Sequence, residues 1–212
     1  SWEDIEHAVL LLDGEYDPLL YCNVLDVHRR IASSFDVSVN GSNGEICKGY
    51  WWELLFPHIG RRGHFSARAL AKGRFVYAGE PAAGMLAHRF DDDIVSHFAA
   101  IIERANAPLA GLPNTAHIDH AYLALRMQRW QGRIASATLR LWPAVSPFAF
   151  RAPMECALSA PASIRVRHRM SRRLIETLDP ALSRIPLDSG YPAAPLRWNN
   201  WPAFAAPFLS DV

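Results

Sequence analysis

The sequence predicts a mainly helical α/β fold with few parallel strands, formed as a single domain over residues 1–212. Two observations support this prediction. Residues 1–56 contain a helix, strand and glycine-turn unit, and helical periodicity dominates residues 57–212. Half of the 212 residues are apolar, which is enough for a sizeable core.

The first element is a helix from Ile5 to Leu12, which the acidic loop from Asp13 to Pro18 ends. A second helix is predicted from Leu19 to Ser33, because apolar residues recur at i, i+4, i+7 and i+11: Leu20, Val24, Val27 and Ile31. The alternation of Val37 and Val39 then predicts a short strand.

A glycine-rich turn from Asn40 to Tyr50 follows this strand. Gly41 and Gly44 permit a positive φ or the close approach of a ligand. Ligands of open α/β sheets bind at the carboxyl ends of the strands, so the turn is a candidate nucleotide site. A plain surface turn explains the same pattern.

The elements after Tyr50 are predicted to be mainly helical. Asp91-Asp92-Asp93 precedes an apolar stripe, and these carboxylates either cap a helix or bind a metal. Further helices are predicted from His117 to Arg133, near Met154 to Leu158, and from Ser171. The tail after Pro186 is predicted to be extended, because it is rich in proline.

Two other clusters leave alternatives open. His117 and His120 lie at i, i+3 and either share a metal or line the polar side of a helix. A basic cluster either neutralises phosphate or forms a solvated face, and it comprises Arg165, Arg167, His168, Arg169, Arg172 and Arg173.

Composition excludes several classes of protein. Lys and Arg number 22 against 21 Asp and Glu, a formal charge of +1, so no nucleic-acid or acidic-membrane partner is expected. Three dispersed cysteines indicate neither a disulfide framework nor a zinc site. The acidic N-terminus does not resemble a secretion signal, and no apolar run approaches the length of a membrane helix. We therefore expect a cytoplasmic protein.

Two motifs resemble the synthetase domain of asparagine synthetase-like proteins, which carry an L-D-E-P-F-x-D-P loop and an S-G-D-G-G-D-E-L-F-G-G-Y turn. The corresponding segments are Leu12 to Pro18 and Val39 to Tyr50. Ser146-Pro147-Phe148-Ala149-Phe150 is similar to the family's V-P-F-L-D segment. The resemblance continues through a short helix and the segment from Arg169 to Leu174, and it ends at Gly190-Tyr191. These segments cover most of the chain and occur in the same order as in the family.

The resemblance implies part of an adenine-nucleotide α-hydrolase-like fold, in which ATP and Mg²⁺ activate a small-molecule carboxylate as an acyl-adenylate that ammonia attacks. It implies a cofactor-binding role for the turn residues Gly41, Ser42, Asn43 and Gly44, and for Arg169. Glu15 and Glu45 are the implied catalytic residues, and Asp13 and Asp17 the implied metal ligands.

The sequence also departs from the family. It has no S-G-G-x-D-S loop to bind pyrophosphate, and its turn is one residue short. Phe150 replaces an Asp, and Asp188-Ser189-Gly190-Tyr191 replaces Lys-x-Gly-Phe, which reverses a charge. We therefore expect a second chain or an N-terminal segment to supply the phosphate loop, and no activity from this chain alone. The alternative is a non-catalytic assembly module. It would form a homo-oligomer that covers an exposed apolar patch at Tyr50 to Phe56 or Trp198 to Phe208.

Overall fold

The computed structural model describes residues 1–14, 16–75, 91–187 and 190–210, with the backbone alone for 91–93 and 206–210. Helices account for most of these residues, as the sequence predicts. The α-helices are α1 Trp2–Leu12, α2 Pro18–Ala32, α3 Ala67–Leu70, α4 Asp91–Asn106, α5 Asn114–Ala121, α6 Gly132–Leu141, α7 Arg151–Ser159, α8 Ala162–Arg165, α9 Arg169–Leu178 and α10 Trp201–Ser210.

Two short strands, β1 Ser38–Val39 and β2 Ala144–Val145, pair in parallel. Ser38 lies opposite Ala144 and Val39 opposite Val145. The pairing extends by one hydrogen bond beyond β1, because the Asn40 amide donates to the Val145 carbonyl at 3.0 Å. The prediction of a mainly helical α/β chain with few parallel strands is confirmed at this level.

Helices α1, α2 and α6 share a hydrophobic cluster of Ala8, Leu12, Tyr21, Leu25 and Ala137. Asp17 begins α2, because its Oδ1 accepts hydrogen bonds from the Leu19 and Leu20 amides. Of the predicted apolar stripe of α2, Val24 packs against this cluster.

The stripe itself lies largely in solvent. Leu20, Val27 and Ile31 are 53, 45 and 41 % exposed, whereas Tyr21 and Leu25 are fully buried. Helical periodicity identifies an apolar stripe, but the neighbouring helices determine which face of α2 they cover. The face contacted by α1 and α6 is rotated by about one residue from the prediction.

A continuous helical stretch runs from Asn114 to Leu141, longer than the predicted helix from His117 to Arg133. Between α5 and α6, residues Tyr122–Gln131 form a π-helix. Such wide turns are rare and commonly occur at functional sites. Gly132 lies inside this stretch with helical dihedral angles instead of ending it.

The largest hydrophobic cluster surrounds the residues that follow the glycine turn. Trp51, Trp52 and Leu55 are buried there against Ile102 of α4 and Ile118 of α5. The Tyr50–Phe56 segment therefore does not form the exposed patch expected for an assembly module, although Leu54 and Phe56 are exposed. Aromatic residues in this segment contribute to the core because their large apolar areas are removed from water.

A buried ion pair lies beside this cluster. Arg165 donates to both oxygens of Asp119, from Nη1 to Oδ2 at 2.6 Å and from Nη2 to Oδ1 at 2.9 Å. Trp52 Nε1 donates to Asp119 Oδ1 at 3.0 Å, and Arg165 Nε donates to the Ile46 carbonyl at 2.9 Å. Burial raises the pKa of Asp119, and the hydrogen bonds from Arg165 and Trp52 oppose this rise.

Arg165 is therefore wrongly predicted as a member of an exposed or phosphate-binding basic cluster. Its side chain is 2 % exposed, and its guanidinium lies 4.4 Å from the centroid of the Trp52 ring. Sequence spacing places it beside Arg167 and Arg169, but the end of α8 directs it into the core.

The tail differs from the extended segment predicted after Pro186, since α10 occupies Trp201–Ser210. Pro202 is the second residue of α10, where a missing backbone N–H costs little. In the described part of the chain, none of the helices combines the length and apolar character that a membrane crossing requires.

Replacing Arg165 by Met is expected to lower the free energy of unfolding by about 3–5 kcal/mol, because it leaves the Asp119 carboxylate buried without its cation. The exposed Arg173 gives the matched control, and Arg173→Met should change stability by less than about 0.5 kcal/mol. Urea unfolding measures both values, and equal effects of the two substitutions would contradict the structural role of Arg165.

Candidate functional site

The glycine turn lies at the carboxyl ends of both parallel strands. Asn40 follows β1 and Ser146 follows β2, and the Ser146 hydroxyl donates to Asn40 Oδ1 at 2.7 Å. The same oxygen accepts the Ser42 amide at 3.0 Å. The turn thus occupies the position at which open α/β sheets bind ligands.

The glycines of the turn have different roles from those expected. Neither Gly41 nor Gly44 has a positive φ, and Asn43 adopts the left-handed conformation between them with φ 69°. Gly44 is packed closely instead, since a Cβ atom there would lie 3.2 Å from Phe148 Cδ2. The 3₁₀-helix Gly44–Lys48 begins at this contact.

Gly49 is the glycine that the backbone requires. Its φ is +66°, and a Cβ atom there would lie 2.4 Å from Cδ2 and Cε3 of the buried Trp52. Glycine permits both the left-handed turn and the close approach of the indole. Gly49 therefore connects the glycine turn to the core.

A pocket of about 320 Å³ opens beside the turn. Gly41, Gly44 and Glu45 line it together with three basic side chains, Lys48, His168 and Arg172. Two permanent cations and an imidazole thus accompany a single carboxylate in the lining. This balance favours an anionic ligand such as a phosphate or carboxylate group.

The basic side chains of the pocket are held by the tail and by the turn. Arg172 Nη1 donates to the carbonyls of Pro192 and Ala194, the latter at 3.0 Å, and its guanidinium lies over the Phe204 ring. Burial lowers the pKa of His168, and the nearby positive charges of Lys48 and Arg172 lower it further. His168 is therefore a neutral imidazole at pH 7 in the free protein.

Glu45 has one carboxylate oxygen that is available to a ligand. Its Oε2 is buried and has no hydrogen-bond partner within the described residues. Tyr122 lies close to this carboxylate: burial raises the pKa of Tyr122, and the nearby negative charge of Glu45 raises it further. Tyr122 consequently remains a neutral phenol beside Glu45.

The π-helix Tyr122–Gln131 supplies several residues next to the turn. Besides Tyr122, it provides Gln131, whose Nε2 donates to Ser42 Oγ at 2.6 Å. It also provides Arg126, whose guanidinium lies 5.5 Å from the Trp51 ring centroid and 4.3 Å from that of Trp130. The π-helix thus provides a side chain, Gln131, that hydrogen-bonds to the glycine turn.

Sequence reasoning missed Lys48, Tyr122, Arg126 and Gln131 as residues of this region. Lys48 lies within the glycine turn, but no sequence pattern indicated that its side chain lines a pocket. The other three carry no motif, because an α-helical projection of residues 117–133 does not describe a π-helix. His168 and Arg172 belong to the basic cluster, but sequence could not separate them from Arg165.

The implied metal ligands Asp13 and Asp17 lie between α1 and α2 and have other partners. Asp13 Oδ2 accepts from Arg133 Nη1 at 2.7 Å, and Asp17 caps α2. The loop still approaches the same helical stretch as the turn, since Tyr16 contacts Trp130. Glu15 lies outside the described residues, as do Asp188 and Ser189.

Arg169, the implied phosphate-binding residue, is exposed and donates from Nη1 to the Ser163 carbonyl at 3.2 Å. It is absent from the lining of the pocket, whereas Arg172, one helical turn later, is part of it. Helix α9 begins at Arg169, two residues before the predicted start.

No group of three or more His, Cys, Asp or Glu side chains suited to a metal ion occurs in residues 1–14, 16–75, 94–187 and 190–205. His120 Nδ1 instead bonds to Asn106 Oδ1 at 3.0 Å, and burial followed by the proximity of His120 lowers the pKa of His117. The acidic trio Asp91-Asp92-Asp93 begins α4, and its side chains lie outside the described ones.

No protein-family model matches the chain, and no curated protein or solved structure is significantly similar to it.

Replacing Gly49 by Ala is expected to lower the free energy of unfolding by at least about 2 kcal/mol, because the methyl group meets the Trp52 ring and the left-handed φ becomes strained. Gly41→Ala is the matched control, since Gly41 has no neighbour within 4 Å and no positive φ. Urea unfolding curves compare the two, and an equally small effect at Gly49 would contradict this geometry.

Proposed function

We propose that this chain is a portion of an asparagine synthetase-like, ATP-dependent amide-forming protein that activates a small-molecule carboxylate. The pocket at the carboxyl ends of the strands supports this proposal most directly, because glycine-turn residues, Lys48, His168 and Arg172 surround one anion-sized space. In this proposal the protein acts in the cytoplasm, where its cysteines remain reduced.

The residues of the pocket fit the anionic part of a nucleotide or an activated carboxylate. A volume of about 320 Å³ lies at the small end of ligand sites, so it suits a phosphate-bearing part and not a whole nucleotide. Lys48 and Arg172 would balance phosphate charge, and the turn from Gly41 to Gly44 would border it. A segment with a phosphate loop, from this protein or a partner, would bind the rest of the nucleotide.

Glu45 suits the role of an orienting carboxylate. Its buried Oε2 has no partner among the described residues, so this oxygen can contact Mg²⁺ or accept a hydrogen bond from the substrate. Asp13 and Asp17 are already occupied by Arg133 and by the start of α2. We therefore assign any Mg²⁺ contact in this chain to Glu45 first.

In the proposed reaction, ATP supplies the adenylyl group. The substrate carboxylate attacks the α-phosphorus and pyrophosphate leaves; ammonia then attacks the acyl carbon and AMP leaves with the bond electrons. Lys48 and Arg172 would stabilise the negative charge that accumulates on the phosphate oxygens. The neutral His168 would accept a proton when an anion binds.

A second candidate, a non-catalytic assembly module that retains the synthetase fold, is favoured by the exposed apolar face of α2. Leu20, Val27 and Ile31 lie on it, and Val39 of the neighbouring strand is 71 % exposed. Apolar faces of this kind commonly mark contacts with other chains. This candidate predicts a dimer in solution and no response to ATP.

Isothermal titration with ATP and Mg²⁺ tests the leading proposal. We expect binding to the wild-type protein and at least a tenfold loss of affinity in Lys48→Met, because a charge-assisted contact with phosphate is removed. Lys72→Met is the matched control, since Lys72 is exposed and does not line the pocket. Absence of binding, even with a segment carrying S-G-G-x-D-S supplied, would exclude the proposal.

Sulfate binding is expected to strengthen as the pH falls from about 7.5 to about 5.5. Burial, Lys48 and Arg172 keep the pKa of His168 below its ordinary value in the free protein, and a bound anion favours the imidazolium. Binding therefore takes up a proton in the range below about pH 6.5, and affinity rises as pH falls. The charge of sulfate is constant over this pH range, so any change in affinity comes from the protein. We expect the affinity to rise several-fold in the wild-type protein and to be independent of pH in His168→Gln. The same slope in both proteins would contradict the role of His168.

A further inference from the structure

A second pocket, of about 450 Å³, shares no lining residue with the pocket at the glycine turn. It lies between α5, the segment that precedes α5, and the connection from α7 to α8. Its volume is within the range of small-molecule sites, and its lining is mostly apolar with a few polar groups, as is typical of such sites.

Small residues create this space. Gly60, Ala116 and Ala162 line it where larger side chains would fill it, and leucines form much of the remaining wall: Leu109, Leu123 and Leu158. Packed interiors seldom leave voids of this size, because the lining loses dispersion contacts. An occupant would restore those contacts.

The charges in the lining are already compensated. Asp119 and Arg165 both line the pocket, but they pair with one another at 2.6 Å, and Trp52 donates to the same carboxylate. A charged occupant would enter without a free counter-charge, and its desolvation would be unfavourable. The pocket therefore favours an uncharged molecule.

His120 provides one directed polar contact. Its Nδ1 lies 3.0 Å from Asn106 Oδ1, and in the tautomer that donates to this amide oxygen Nδ1 carries the proton. In the neutral imidazole, Nε2 is then an acceptor. Since His120 lines the pocket, an occupant with a hydroxyl or N–H group finds an acceptor there.

We propose that this pocket binds an uncharged, mainly apolar small molecule that carries a single hydrogen-bond donor for His120. Its site is separate from the pocket of the proposed synthetase function and does not depend on that function. The shape of the pocket favours a compact apolar ligand, and His120 favours a ligand that carries a hydrogen-bond donor.

Three para-substituted toluenes of similar size test the class of ligand: p-cresol has a donor, 4-methylanisole has only an acceptor, and 4-methylbenzoate is charged. Titrations of the full 212-residue chain, followed by NMR, should show p-cresol binding about tenfold more tightly than 4-methylanisole and more tightly than 4-methylbenzoate. His120→Phe should remove the preference for p-cresol, and His120→Gln, which retains an acceptor, should restore part of it.

Filling the pocket tests its location. Ala116→Leu should weaken p-cresol binding at least tenfold, whereas Ala152→Leu, at an exposed position of α7, should leave it unchanged. Leu158→Trp narrows the pocket from a partly exposed position, so it gives the same test if Ala116→Leu fails to fold, as judged by circular dichroism. The proposal is overturned if no probe binds, if p-cresol has no advantage over the other two, or if neither filling variant that folds weakens binding.

Discussion

The Arg165 guanidinium is the group on which the arrangement of this protein depends. It joins α8 to Asp119 of α5, to the Ile46 carbonyl within the glycine turn and to the Trp52 ring. All of its partners are buried, so each hydrogen bond replaces one that the unfolded chain makes with water. The geometry is fixed because a misplaced guanidinium or carboxylate would be buried without a partner.

This constraint connects the two pockets. Arg165 lines the apolar pocket, and the carbonyl to which it donates belongs to Ile46, the neighbour of Glu45 in the pocket at the glycine turn. The π-helix also lies against the turn, since Gln131 donates to Ser42 Oγ and the charge of Glu45 helps to raise the pKa of Tyr122. Contacts with the core and with the π-helix thus fix the conformation of the turn. A binding site needs such support, because its side chains must be in position before the ligand arrives.

The two pockets differ in the chemistry that they offer. Lys48, His168 and Arg172 give the first an excess of positive charge, whereas the second contains a compensated ion pair and a single imidazole acceptor. The exposed face of α2 is a third distinct surface. The two pockets therefore differ in electrostatic character, one with excess positive charge and one with compensated charges.

By itself, the sequence determined the helical elements and the strand with its glycine turn, because these depend on local periodicity, caps and glycine. It also placed Gly41, Gly44 and Glu45 after the strand, and the structure shows that they line a pocket there. Only tertiary structure decided that Arg165 is buried, that Arg172 and not Arg169 lines the pocket, and that Leu20, Val27 and Ile31 are exposed. Those outcomes depend on which elements pack together and on a π-helix that shifts side chains from α-helical positions, and neither is encoded in the spacing of neighbouring residues.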